Sequence, residues 1–260
     1  MARIFMLALL IPVAIASIAC GSKISDEDVR MSDRYYEAAY VAWFEERDNL
    51  EAIRHLTRSV KANPDNDHAQ YLLGTLRLGR NELDEAEKHL RKALELRGEE
   101  RPAERAEAQN SLGVLLMHKE KYAEAIELLE AASSQVLNRE PWLAMGNLGW
   151  AYTEIGEYDK AIDILKRALF DQPLFCVGKY RLGEAYYKKG EYEKAEASVK
   201  GAISIKEGGC DSIQEAHHLL GMTYLRLGRE NEARESFATC AELDPASDLG
   251  VECSRNRDEI

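Results

Sequence analysis

This sequence of 260 residues has no apolar run long enough to cross a bilayer as a helix. Its most apolar stretch, residues 4 to 19, holds 16 residues without a charge. As a helix it would span ~24 Å, short of the ~30 Å hydrocarbon core. An excess of basic residues is missing too: 34 Lys and Arg face 46 Asp and Glu, for a net charge of −12. That balance argues against a nucleic-acid partner and against electrostatic attachment to an anionic membrane. Catalytic signatures are lacking: there is no GxSxG, HExxH, Walker loop or GxGxxG, and no cysteine–histidine arrangement in an electropositive context. The many carboxylates stand beside Lys or Arg at helical spacing, as in EYDKAIDILKR, which is the pattern of a solvated face. No catalytic residue, no cofactor and no enzyme activity are therefore expected. A zinc site is not expected either, because His217 and His218 are adjacent and there is no CxxC.

What is present begins at the amino end. Residues 1 to 19 read as a signal peptide, with one basic residue, Arg3, an apolar stretch, and small residues before a cut. They end in Ser17, Ile18, Ala19 and Cys20. This SIAC stretch is similar to the lipobox of bacterial lipoproteins, with Ser17 where that motif usually has Leu. The resemblance implies cleavage before Cys20 and lipid on its sulfur and new amino group. One acyl chain binds a membrane marginally, and two or more hold a protein firmly. Gly21 rather than Asp after the cysteine implies, by resemblance to enteric sorting rules, a lipid anchor on the periplasmic face of the outer membrane. Residues 20 to 32 are expected to be a lipidated polar tether.

The rest of the chain is organised by a repeat. NLGWAYTEIGEYDKA (147 to 161) aligns with RLGEAYYKKGEYEKA (181 to 195) in two glycines, a tyrosine, an aromatic and the closing alanine. Taking that alanine as register finds Ala52, Ala86, Ala125, Ala161, Ala195 and Ala233, spaced by 34, 39, 36, 34 and 38 residues. Other positions then fall into phase without having set it. Gly stands twelve before the alanine at Gly74, Gly113, Gly149, Gly183 and Gly221, with Tyr40 in the first unit. A bulky apolar residue stands four after it at Leu56, Leu90, Leu129, Leu165, Val199 and Phe237, and Pro64, Pro173 and Pro245 end second helices. The pattern resembles the tetratricopeptide repeat, a helix-turn-helix unit of 34 residues. The resemblance implies an all-α, right-handed solenoid of six units over residues 33 to 246, at about 33–66, 67–100, 106–139, 142–175, 176–209 and 214–246. Inserted loops are expected at 97–105 and 206–213, and a mostly irregular tail at 247–260.

The repeat places the cysteines. An exported chain meets an oxidising compartment, where clustered cysteines pair. Corresponding ends of stacked hairpins are neighbours, so Cys176 is expected to pair with Cys210, and Cys240 with Cys253, pinning the tail over the last unit. In this repeat, positions 2, 5, 9, 12 and 13 of each first helix face an inner groove. They select Val41, Phe44, Tyr71, Leu78, Val114, Met117, Trp150, Tyr180, Tyr187, Met222 and Leu225, with polar members Asn110, Thr153, Glu184, Lys188, His218 and Arg226. So aromatic a lining predicts a site for an apolar segment of a partner protein, as a helix in a groove or an extended peptide. The first unit, with RYYEAAYVAWFEE, has rings at Tyr35, Tyr40 and Phe44 that no preceding repeat covers.

A lipobox, a short tether, six repeats and cysteines gathered at the carboxyl end together resemble the tetratricopeptide lipoproteins of type IV pilus systems, the Tgl-like pilotins. The resemblance implies a monomeric lipoprotein that binds secretin monomers and promotes their insertion and assembly in the outer membrane. The alternative is a generic envelope scaffold for outer-membrane protein assembly or for peptidoglycan enzymes.

Overall fold

The computed structural model describes residues 24–206 and 208–260. The signal segment and Cys20 lie outside the described residues. Among the described residues thirteen α-helices follow one another: α1 (Asp26–Phe44), α2 (Asn49–Ala62), α3 (Asp67–Gly79), α4 (Leu83–Leu96), α5 (Pro102–His118), α6 (Tyr122–Ser134), α7 (Pro141–Glu154), α8 (Tyr158–Asp171), α9 (Cys176–Lys189), α10 (Tyr192–Ile203), α11 (Gln214–Arg226), α12 (Glu230–Leu243) and α13 (Asp248–Glu259). No strand occurs among the described residues, and no helix there is long and apolar enough to cross a membrane.

Six antiparallel hairpins, α1/α2 to α11/α12, stack in chain order into an all-α solenoid. From α3 onward each first helix also touches the first helix of the next unit. These helices therefore form one continuous wall, with the second helices behind it. Each hairpin turn holds one residue with positive φ: Arg47, Asn81, Glu120, Gly156, Gly190 and Gly228.

The crossing glycines explain the packing. A Cβ added at Gly113 would stand 2.7 Å from Leu129 Cγ, where apolar carbons rest at ~3.5–4.0 Å, and Gly74 and Gly221 meet Leu90 and Phe237 as closely. Leu56, Leu90, Leu129, Leu165, Val199 and Phe237, expected as bulky core residues, are all fully buried. The first unit solves the crossing differently. Its turn, residues 45–48, is one residue longer than the α3–α4 turn, residues 80–82, so Ala39 takes the crossing and is fully buried, while Tyr40 is 43% exposed.

Three expectations are corrected at segment ends. The tether does not run to residue 32, because α1 starts at Asp26. Ser25 accepts from the Asp28 N–H at 3.2 Å, and Asp28 Oδ2 accepts from the Ser25 N–H at 3.0 Å, a reciprocal cap. The Ser25 hydroxyl, which donates to Asp28 Oδ2 at 2.6 Å, and the Ser25 N–H hold the Asp28 carboxyl below its ordinary range. The insertion expected at 97–105 is shorter, since Pro102 opens α5. The 97–101 link is tied to α3 by Arg97 and Arg101, both 3.1 Å from Asp67 Oδ2. Burial alone would raise the Asp67 carboxyl, but hydrogen bonds from these two arginines hold it below its ordinary range. The tail, expected to be mostly irregular, is the three-turn helix α13. Ser247 caps it by accepting from the Gly250 N–H at 2.9 Å and donates to Gln214 Oε1 at 2.9 Å, while Gln214 Nε2 donates to the Cys240 carbonyl at 2.8 Å. A cap with tertiary partners makes a helix where composition alone predicts none.

Candidate functional site

Both disulfides expected from the repeat are present. Cys176, the first residue of α9, is bonded to Cys210, which opens a single 3-10 turn, with Cα atoms 5.8 Å apart. Cys240 on α12 is bonded to Cys253 on α13, with Cα atoms 6.0 Å apart. The first fixes the link before α11 beside the start of α9. The second holds α13 against α12, covering the outer side of the sixth hairpin.

The wall of first helices carries most of the residues expected in the groove. Tyr71 on α3 is half-buried; its hydroxyl lies 3.2 Å from Ser111 Oγ, and the Arg97 guanidinium sits 4.2 Å from its ring centre. Leu78 and Val114 are half-buried on the same wall. On α7, Trp150 Nε1 donates to Glu154 Oε1 at 3.2 Å, the His118 ring meets its edge at 5.7 Å, and the Arg181 guanidinium lies 5.1 Å from it. Tyr180 and Tyr187 on α9 and Met222 on α11 are half-buried, and Leu225 is exposed. Phe44, 52% exposed, stacks on Tyr40 at 5.6 Å, under the Arg47 guanidinium.

Three placements differ from the sequence reading. Met117 is buried in the core with Leu116 and Leu129, because that edge of a first helix is covered by the next unit's first helix. Thr153 is buried and donates within its own helix to the Gly149 carbonyl at 2.8 Å. Val41 is exposed but stands one position off the Tyr40–Phe44 stripe, as the longer first turn requires. The wall is thus an aromatic lining interrupted by charge rather than an unbroken apolar surface.

Sequence reading named Asn110 but missed Asn147 and Arg181, with which it forms the polar centre of this wall. Arg181 Nη1 donates to Asn147 Oδ1 at 2.6 Å, and Asn147 Nδ2 donates to Asn110 Oδ1 at 2.7 Å, linking α9, α7 and α5. The signal was spacing: Asn147 and Arg181 lie 34 apart, in step with the repeat, and Asn110 lies 37 before Asn147, one residue more than the 36 between those two units. Cavities flank the ladder. One of about 660 Å³ lies between Tyr71, Asn110, Arg139 and Trp142. Another, of about 310 Å³, lies between Trp150, Val177, Tyr180, Arg181 and Ile213, and continues through Tyr180 and Glu184 into one of about 250 Å³ lined by Tyr187, Met222 and, from α13, Leu249. The disulfide-held segments thus supply Ile213 and Leu249 to the groove. Burial pushes the Glu184 carboxyl up, opposed by Lys188 at 3.4 Å. It also pushes the Tyr180 hydroxyl up and the Arg181 guanidinium down to about 10. No group of three or more metal-ligating side chains is assembled among the described residues.

Comparison with known proteins agrees with this architecture. No curated protein matches the sequence. Among solved structures, PilW, described as a widely conserved type IV pilus biogenesis factor, superposes with a TM-score of 0.70 at 21% identity, over 85% of this chain and 97% of that one. PilF of Pseudomonas aeruginosa gives 0.64 at 18%, over 88% and 99%. The APC/C hetero-tetramer Cut9–Hcn1 gives 0.70 at 16%, over 89% of this chain and 46% of that one. At these identities the likeness is one of fold. Three tetratricopeptide-repeat profiles match residues 104–169, residues 36–101 and 71–135, and residues 178–208 and 214–247. With the crossing glycines seated against their bulky partners through the same span, the chain belongs to the tetratricopeptide-repeat proteins.

Proposed function

We propose that this chain is an outer-membrane lipoprotein, anchored through Cys20, that binds a secretin monomer along its wall of first helices and promotes insertion and assembly of the secretin for type IV pili. The observation that carries the reading is that wall: half-buried rings of Tyr71, Trp150, Tyr180 and Tyr187 line open cavities, and Tyr40 and Phe44 stand exposed on α1. A secretin monomer has apolar surface that it buries only on joining its neighbours, and a groove of this kind shields such a segment in the interval. The lipobox-like stretch before Cys20 supports a place beside the membrane, and the likeness in fold to PilW, a type IV pilus biogenesis factor, supports the pathway.

The test is genetic and biochemical. Loss of the chain should remove denaturant-resistant secretin multimers from the outer membrane and leave the monomer. Cys20→Gly should give a folded protein that no longer sediments with membranes and does not restore multimers. Normal multimers without the chain would refute the reading. Recovery of barrel-assembly or wall-synthesis proteins instead of secretin, from detergent-solubilised envelope, would favour the generic scaffold.

A further inference from the structure

The two edges of the solenoid leave different side chains in water. Antiparallel hairpins put the turns within units on one edge and the links between units on the other. The two most exposed large apolar side chains among the described residues, Val136 at 90% and Phe170 at 87%, both stand on the link edge, with Leu137 and Leu174 beside them at 61% and 58%. Beyond the first unit, the most exposed large apolar residue of a turn is Ile155, at 45%. The repeat does not require these residues. Nine positions after the register alanine, where the fourth unit has Phe170, the other units have Lys61, Glu95, Ser134, Ser204 and Glu242. Thirteen after it, where that unit has Leu174, they have Asp65, Glu99, Asn138, Gly208 and Ala246. Apolar residues exposed singly need no explanation, but two neighbouring links with two each point to something that covers them.

We infer that this edge is a second membrane contact, at which Val136, Leu137, Phe170 and Leu174 dip into the headgroup layer of the bilayer that holds the lipid on Cys20, a reading that rests on the anchor proposed above. The course of the chain favours the bilayer as the occupant. The helix α1 begins on the link edge, since Asn66, in the link after α2, donates to Ser32 Oγ at 3.0 Å and to Asp33 Oδ1 at 3.2 Å. From Ser32 back to Asp26 is ~9 Å of helix, and residues 21–25 reach at most ~18 Å, so a lipid on Cys20 leashes this edge to the membrane. The turn edge lies a helix length, ~20 Å, further away. Shape agrees with this choice. The four residues are tips of neighbouring links rather than walls of a cleft, and a fluid headgroup layer takes protruding side chains without the matched pockets that a protein partner would need. Charge agrees too. In a chain of net charge −12 the patch is not acidic, because exposed Arg139, Lys166 and Arg167 stand beside Glu140 and Asp171, a mixture that tolerates anionic headgroups. A few side chains at an interface bind only marginally, so the contact acts through the high local concentration that the tether supplies and orients the chain rather than anchoring it.

The test uses the lipidated chain, purified from membranes in detergent and reconstituted on vesicles of phosphatidylethanolamine and phosphatidylglycerol, with and without bromine on the acyl chains near the headgroups. Phe170→Trp and Ile155→Trp each add a reporter to one edge at an exposed position, and the emission of Trp43, Trp142 and Trp150 is subtracted with the unaltered chain. The added emission should be quenched by bromine and shifted to the blue at residue 170, and should show neither change at residue 155. Equal quenching at the two edges, or none at residue 170, would overturn the inference. So would shielding of residue 170 from aqueous acrylamide only once secretin is added, which would assign the edge to a protein. A chain that bears no lipid and fails to join the vesicles would sink the Cys20 anchor and this inference with it. A chain that joins them with residue 170 in water would sink this inference alone, and quenching at residue 170 without secretin capture would leave it standing and sink the secretin reading.

Discussion

The same chemical change, Gly to Ala, is expected to have opposite effects at two helical positions. At Gly113 the new methyl would stand 2.7 Å from Leu129 Cγ and 2.8 Å from Cδ2, about 1 Å inside normal contact. Leu129 is fully buried and shares the core with Leu112, Leu116 and Met117, so it has no free volume to retreat into. Overpacking of this kind costs ~1–3 kcal/mol, offset by ~1 kcal/mol of helix propensity, for a net loss of up to ~2 kcal/mol. At Gly79, where nothing lies within 4 Å of the added Cβ, only the propensity remains, and the protein gains up to ~1 kcal/mol. Urea denaturation followed by circular dichroism should therefore separate Gly113→Ala from Gly79→Ala by the overpacking cost, ~1–3 kcal/mol. In a Leu129→Ala background, which relieves the clash, Gly113→Ala should cost almost nothing further. Gly113→Ala matching Gly79→Ala in the parent protein would refute the close-crossing account of all five glycines.

Other outcomes follow from single contacts. Met117→Ala should cost ~2–4 kcal/mol of stability as a core cavity, whereas Phe44→Ser should leave the urea midpoint unchanged, which separates a core residue from a surface one. Breaking the Cys240–Cys253 bond by Cys253→Ser should cost up to ~3 kcal/mol on loop-entropy grounds and should raise amide exchange in α13 first. Burial pushes Glu87 up, but hydrogen bonds from Lys119 and Arg91 prevail and bring it down to about 2. The stability it lends to the junction of the second and third units is present above its unfolded value of ~4.5 and lost as pH falls toward 2, so Glu87→Gln should flatten the acid-denaturation curve in that window. Burial holds the His89 imidazole down to about 4, with Nδ1 at 2.7 Å from Gln70 Oε1. Because the unfolded chain takes up this proton first, stability should fall as pH drops from ~6.5 to 4, and His89→Gln should remove that component.

Much of this was legible in the sequence because the repeat is a local code. A glycine and a bulky residue at fixed phase mean that two helices cross there, whatever else the protein does, and Gly113 with Leu129 fulfils this directly. The disulfide partners were legible for the same reason, since the repeat brings corresponding ends of hairpins together. The helix at 26–32 could have been read from the Ser25–Asp28 cap.

What only the tertiary structure decided is which side of each helix meets solvent and which charges find partners. Met117 and Leu225 occupy equivalent positions, yet Met117 is buried in the core shared by α5 and α7 while Leu225 on α11 is exposed. One extra residue in the first turn moves the crossing to Ala39 and turns Tyr40 outward. The helix α13 exists through its cap and disulfide to the preceding hairpin, partners more than ten residues away.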